Sequence, residues 1–302
     1  MKRIILVYNP RSSKQALIRK EVLDRVRGLR GYIVGKYEVR PTNVDDNASA
    51  LAALLQDGDI VITAGGDGTA TIGLNGVILS KKNVQLAALP YGNFNDLAAI
   101  LKVKSVEDVI SGKEGELWPL EIKIDGEHWR YAACYVTMGL FAESTKIFDE
   151  PEVRRKLKKK KGLRRLVYSV WVLAEWYFKN RKREFLPAEF KLNGREVRGM
   201  TDYLAVNGRT MAKMMRAGRY YDDARRFGVR CENLARFWPL VRFMARSILI
   251  WVPVRSSDSE VLEFTGTNEM EIQAEGEYQR LKNVKKVEIR KCEQPVRVIL
   301  KA

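Results

Sequence analysis

Three glycines interleaved with an acid and a hydroxyl, Gly65-Gly66-Asp67-Gly68-Thr69, form the stretch of this chain best suited to chemistry. Glycine lets a backbone come close to an anion, and a helix starting there offers N–H groups that lack intrahelical partners. The run before it, Asp59 to Thr63, is short, apolar and β-branched, and it reads as a buried strand. Residues 70–79 can wind as a helix. Strand, glycine turn and helix start together make a phosphate site. Asp67 and Thr69 suit a magnesium-bound polyphosphate better than a bare anion. An ordinary tight βα turn would need only one glycine.

The elements that must position this turn follow a βαβα rhythm. Arg3 to Tyr8, Tyr32 to Val39, Asp59 to Thr63 and Val84 to Leu89 read as strands, and 16–29 and 48–55 as helices. That rhythm predicts a doubly wound parallel sheet with ligand loops at the strand ends. Three polar loops, Asn9–Ser13, Gly65–Thr69 and Gly92–Asp96, would then converge on one edge. The P-loop pattern GxxxxGK[ST] and the dinucleotide pattern GxGxxG are both absent. From about Leu120 the pattern changes to period-2 alternation in Leu120 to Ile124, Trp129 to Met138, Ala188 to Leu192, Thr201 to Val206, Val261 to Phe264 and Glu269 to Ala274. Such alternation predicts a second, mostly antiparallel β domain.

Composition narrows the partners. The 302 residues carry a formal charge of +17, which favours anionic partners: nucleic acid, an acidic membrane surface or phosphorylated substrates. Three cysteines, Cys134, Cys231 and Cys292, form no CxxC pair and read as reduced, partly buried thiols in a cytosolic protein. The single histidine, His128, follows a turn at Asp125-Gly126 and reads as a surface residue. Histidine-based triads and histidine-rich zinc sites are excluded. The apolar run from Ile4 to Tyr8 is too short for a secretory leader, and no segment is long and apolar enough to span a bilayer.

Asn9-Pro10-x-Ser12, Gly65-Gly66-Asp67-Gly68-Thr69 and Leu89-Pro90-x-Gly92-x-x-Asn95-Asp96, in that order, resemble the diacylglycerol kinase catalytic family, which takes in bacterial diacylglycerol kinases, YegS-type lipid kinases and the sphingosine and ceramide kinases. NAD kinases and phosphofructokinases share the glycine turn, so the Leu-Pro-x-Gly…Asn-Asp element is what points to lipid. The resemblance implies an α/β nucleotide-binding domain over residues 1–120, completed by 286–302, and a C-terminal β-sandwich lipid-binding domain over 121–285. Val284 to Ile289 and Val296 to Leu300 are the expected returning strands. It implies transfer of the γ-phosphoryl group of ATP, with Mg2+, to a lipid hydroxyl. Asn9, Pro10, Arg11, Ser12, Ser13, Thr42, the turn from Gly65 to Thr69 and Asn93 would contact ATP. Glu277, in Glu275-Gly276-Glu277, falls on the family's general base, with Glu275 replacing an aspartate; without the upstream motifs this would read as a hairpin turn with two surface glutamates. Asp223 and Asp222 match acids that hold a structural magnesium, or they simply pair with Arg225 and Arg226.

Basic residues from Arg154 to Arg165 run into the aromatic stretch Leu166 to Phe178, and Arg236 to Arg246 has the same character. Lys and Arg with Trp and Phe compose an interfacial surface for an anionic membrane, at its inner face in a cytoplasmic protein. Nucleic acid is not the expected partner, because the aromatics cluster in an apolar stripe. A homodimer is left open. The pattern also departs from the family. Ile72 stands where a glutamate is usual, Ala224 where a glycine is usual, and only Glu121 approximates an aspartate expected near residue 120. These departures keep a second reading open, a catalytically impaired relative that binds nucleotide or lipid.

Overall fold

The computed structural model describes residues 2–92, 95–139, 142–143, 146–147, 150–160, 162–180, 189–208, 210–211, 215–216, 223–234, 236–244 and 257–302. The first sheet has the order β2-β1-β3-β4-β18-β5. Its strands are β1 (Lys2–Tyr8), β2 (Tyr32–Glu38), β3 (Ile60–Gly65), β4 (Gln85–Pro90), β5 (Lys113–Leu117) and β18 (Val296–Leu300). The first four run parallel, β18 joins β4 in parallel, and β5 closes the edge antiparallel to β18. Ile4, Leu6, Val61, Ile62 and Leu86 are fully buried, as strands covered on both faces require.

Short helices connect these strands: α1 (Gln15–Ile18), a π turn at Arg19–Leu23, α2 (Asp24–Arg27), α3 (Val44–Leu54), α4 (Asp67–Ser80), α5 (Asp96–Leu101) and α6 (Val106–Ile110). Asn43 caps α3, its side chain accepting from the Asp46 N–H at 2.7 Å. In α4 every residue from Thr69 to Val77 is buried, so this helix is covered all round. Gly73 permits that, because a Cβ there would stand 2.2 Å from Thr63 Cγ2 of β3.

The second domain is antiparallel. Its strands are β6 (Leu120–Ile124), β7 (Glu127–Ala132), β8 (Tyr135–Met138), β9 (Glu189–Leu192), β10 (Arg195–Val197), β11 (Asp202–Val206), β14 (Phe227–Glu232), β15 (Ser257–Ser259), β16 (Val261–Ala274) and β17 (Glu277–Lys291). A separate two-residue ladder joins β12 (Thr210–Met211) to β13 (Met215–Arg216). The long β16–β17 hairpin is the spine, with β8 and β9 on one side and β6 on the other. Tyr203 of β11 stacks on Phe190 of β9 at 4.2 Å, although those strands are not hydrogen-bonded neighbours. The sheet therefore faces itself across one apolar core, the sandwich expected from the alternation.

Two expectations change here. Val284 to Ile289 does not return to the first sheet; it lies within β17, paired with β16 and β6 as far as Arg290 and Lys291. The crossing back begins at Val296. In addition, Val261 to Phe264 and Glu269 to Ala274 are parts of one strand. Helices α7 (Pro151–Lys159), α8 (Gly162–Asn180) and α9 (Phe237–Met244) lie between strands of the second domain. No described helix is long and apolar enough to cross a membrane.

Polar side chains sew the two domains together. Asn75 of α4 donates to the Tyr131 carbonyl at 3.0 Å and accepts from its N–H at 2.9 Å. Arg130 makes a bidentate pair with Asp45 at the start of α3. Asn207, fully buried, donates to the carbonyls of Trp118 and Ala133 and accepts from the buried Lys291 ammonium.

Candidate active site

Parallel β1, β2, β3 and β4 all point their C-terminal ends to one edge, which brings the expected loops together. Asn9 Oδ1 accepts from the Arg11 N–H at 2.9 Å, and the Ser12 N–H donates to the Asn9 carbonyl, so the loop after β1 is a tight turn. Pro10 sits inside that turn, with Arg11 and Ser13 exposed. Lys14 then reaches across the edge, and its ammonium donates to the Gly92 carbonyl at 3.3 Å. Thr42, exposed after β2, holds the start of α3 by accepting from Asn47 Nδ2 at 2.9 Å.

The glycine turn is built by close approach. A Cβ on Gly92 would lie 2.2 Å from Gly66 Cα and 3.0 Å from Gly66 N, so these two backbones pass in direct contact. A Cβ on Gly65 would strike the Thr69 hydroxyl at 2.4 Å. Gly66 offers no side chain to cap α4, so no N-cap side chain competes with an anion for its first-turn N–H groups. Replacing Gly92 by Ala is expected to lower stability by about 1–3 kcal/mol and to weaken nucleotide binding, because the obstruction is backbone. Thermal unfolding and a nucleotide titration of Gly92→Ala check this.

Asp67 opens α4 and caps the start of α5. Its Oδ1 accepts from the Asp96 N–H at 2.8 Å and its Oδ2 from the Asn95 N–H at 3.2 Å. The positive start of α5 thus holds the carboxylate in place. Asn95 adopts a left-handed conformation, with φ 57°, and its side chain ties back to Gly92 through both its oxygen and its amide.

The second domain contributes the hairpin tip. Glu275 (φ 52°) and Gly276 (φ 93°) form the tight turn between β16 and β17, and Glu277 is the first residue after it. The turn lays Glu277 over α4: its Oε1 lies 3.2 Å from where a Gly68 Cβ would stand. Glu275 is buried and bridges the domains, with Oε1 accepting from the Cys134 N–H at 2.6 Å and Oε2 lying 3.0 Å from the Thr71 hydroxyl. Thr71 also donates to the Asp67 carbonyl at 2.9 Å. A hydroxyl has one hydrogen, so a neutral Glu275 that donates to Thr71 satisfies the whole chain. Burial, opposed by those two hydrogen bonds and helped by the charges of Asp67 and Asp96, pushes Glu275 up to about 7. Burial and the same three acids raise the Cys134 thiol and the Tyr135 phenol well above their usual values.

This donor set fits a nucleotide that carries its own magnesium. Among the described residues no three His, Cys, Asp or Glu side chains gather closely enough to cage a metal alone. Magnesium held with phosphates needs only one or two carboxylates, which Asp67 and Asp96 could supply. A cavity of about 520 Å3 lies elsewhere, lined by Asn193, Arg226, Asp258 and Glu263. We place no ligand there, because none of the cleft's loops lines it.

The model of the diacylglycerol kinase catalytic domain matches residues 3–115, which span the three loops just described. Over that stretch the first domain is similar to the diacylglycerol kinase catalytic family. A Staphylococcus aureus diacylglycerol kinase is 32% identical over 104 residues, 34% of this chain and 32% of that protein. The alignment therefore spans about a third of the curated relative's length. Two solved Bacillus anthracis structures assigned as diacylglycerol kinases superpose over 99% of this chain. One has TM-score 0.69 at 14% identity over 97% of its length, the other 0.65 at 12% over 96%. At such identity the likeness shows the fold alone.

Against that family pattern the departures fall outside the cleft or are reassigned. Ile72 is 4% exposed and belongs to the apolar core of the first domain; its neighbour Thr71 is the residue that meets Glu275. Glu121 of β6 is tied to Arg290, Lys123 and His128. Asp223 accepts from the Arg225 and Arg226 N–H groups and pairs with the Arg226 guanidinium at 3.0 Å, which is the arginine-paired alternative. Asp222 and Asn93 lie outside the described residues. The cysteines are free, with Cys134 and Cys292 buried. Sequence reasoning left Asp96, Thr71 and Cys134 out of the site and gave Glu275 no role. Asp96 stood in the quoted motif, whereas the other contacts arise only when the hairpin docks on α4.

Proposed function

We propose that the chain is an ATP-dependent lipid kinase that transfers the γ-phosphoryl group of ATP to the hydroxyl of a diacylglycerol-like lipid. The observation that carries this reading is Glu277 seated over Gly68. It sets a proton acceptor against the helix start that would hold the phosphates. A lipid hydroxyl is a poor nucleophile at neutral pH. Glu277 takes its proton as the oxygen bonds to the γ-phosphorus and the bond to the bridging oxygen of ADP breaks. The N–H groups at the start of α4 stabilise charge on the phosphoryl oxygens. Asp67, fixed by α5, and Asp96 beside it would hold Mg2+, which would neutralise phosphate charge. The loop from Asn9 to Ser13 and Thr42 sit at the same sheet edge and complete the nucleotide side.

The likeness of the first domain to that family and the fold of both domains support this reading. The test offers γ-labelled ATP with vesicles containing diacylglycerol, phosphatidylglycerol, ceramide or sphingosine. Label should pass to diacylglycerol first. A folded, nucleotide-binding protein that labels no lipid would overturn the proposal.

A further inference from the structure

We propose that the outer faces of α8 and α9 form one docking surface for a bilayer containing anionic lipid. The proposal rests on the lipid-kinase reading for its choice of a bilayer. Val167, Trp171 and Phe178 occur at i, i+4 and i+11 of α8, and at 100° per residue they fall on one side of the helix. All three are exposed, Trp171 by 56%. The opposite side is covered: Val172 and Tyr177 are buried, and Trp176 packs against the apolar cluster that runs through Cys134 and Tyr135.

The face continues onto α9. The Phe178 and Phe237 rings lie 5.8 Å apart, and Phe237 meets Trp238 edge-on at 5.5 Å. Trp238 is 74% exposed, while Leu240 on the same helix packs inward against that cluster. The patch is thus backed by the apolar core of the first domain.

Charge decides the occupant. Residues 151–180 carry ten Lys and Arg against two acids. Both acids, Glu152 and Glu175, are already paired with lysines one turn on. Arg164, Lys179, Arg236 and Arg242 are exposed at the ends of the two helices. A second copy docked about a twofold axis would bring these cations face to face. Anionic headgroups neutralise them, while Trp and Phe settle at headgroup depth.

The test uses the full chain and vesicles of phosphatidylcholine, alone or with phosphatidylglycerol, without diacylglycerol or ATP. The wild type should sediment with the anionic vesicles, and brominated acyl chains should quench its tryptophan emission. Trp171→Ala/Trp238→Ala should keep the wild-type melting temperature, bind at least about tenfold more weakly and lose that quenching. It should still phosphorylate a water-soluble short-chain diacylglycerol at the wild-type rate. Unchanged vesicle binding in the double variant would overturn the proposal. So would a wild-type dimer that the double variant dissolves while vesicle binding persists. Because binding is read without substrate, failure of lipid phosphorylation in both forms would sink the kinase reading and leave the docking result standing.

Discussion

Glu277→Gln is expected to lower kcat for lipid phosphorylation by about 10²–10⁴-fold, the usual contribution of a general base, while leaving nucleotide affinity and thermal stability near wild type. The expectation follows from where the residue sits. It begins β17 directly after the turn at Glu275-Gly276, and its carboxylate overhangs Gly68 in the first turn of α4. Glutamine keeps the shape and removes the proton acceptor. The anchors of the hairpin tip, the bonds of Glu275 to Cys134 and Thr71, remain in place. Steady-state rates with diacylglycerol in mixed micelles check the first half, and a nucleotide titration the second. A variant that keeps its rate within about threefold would show that the proton leaves by another route.

Glu275→Gln should change the pH dependence of stability. An ordinary glutamate stands at 4.5, and burial raises this one to about 7. Below 4.5 both folded and unfolded chains carry the proton, and this group contributes no slope. Between 4.5 and 7 the folded chain holds it while the unfolded chain has released it, so stability falls as pH rises. Above 7 the loss is complete, at about 3 kcal/mol from this one carboxyl. Glutamine reproduces the neutral carboxyl, with its amide donating to Thr71 and its oxygen accepting from Cys134. The variant should therefore gain about 3 kcal/mol relative to wild type between pH 4.5 and 8. Urea unfolding across that range measures it. Parallel curves for the two proteins would mean that Glu275 is ionised in the folded state.

Much of this architecture can be read from the chain. β1, β3 and β4 are continuous apolar runs bounded by glycine, proline or asparagine, and they fall within a residue or two of expectation. The glycine turn announced itself because no ordinary connection needs three glycines. Other features depend on what docks on what. The alternation of Val284 to Ile289 marks a strand but carries no address, and only pairing with β6 and β16 assigns it to the second sheet. Ile72 departs from the catalytic pattern, and only the packing of α4 on all sides shows that it joins the apolar core of the first domain. Glu275 looked like a surface glutamate, since nothing local to the hairpin tip predicts that Thr71 and Cys134, from two different domains, will close over it.

The most direct measurement is a crystal structure with a non-hydrolysable ATP analogue and magnesium. The γ-phosphate should lie between the N–H groups at the start of α4 and the Glu277 carboxylate, with Asp67 on the metal side. Nucleotide bound away from Gly66 to Thr69, or a Glu277 turned from the γ-phosphate in the closed complex, would contradict the account.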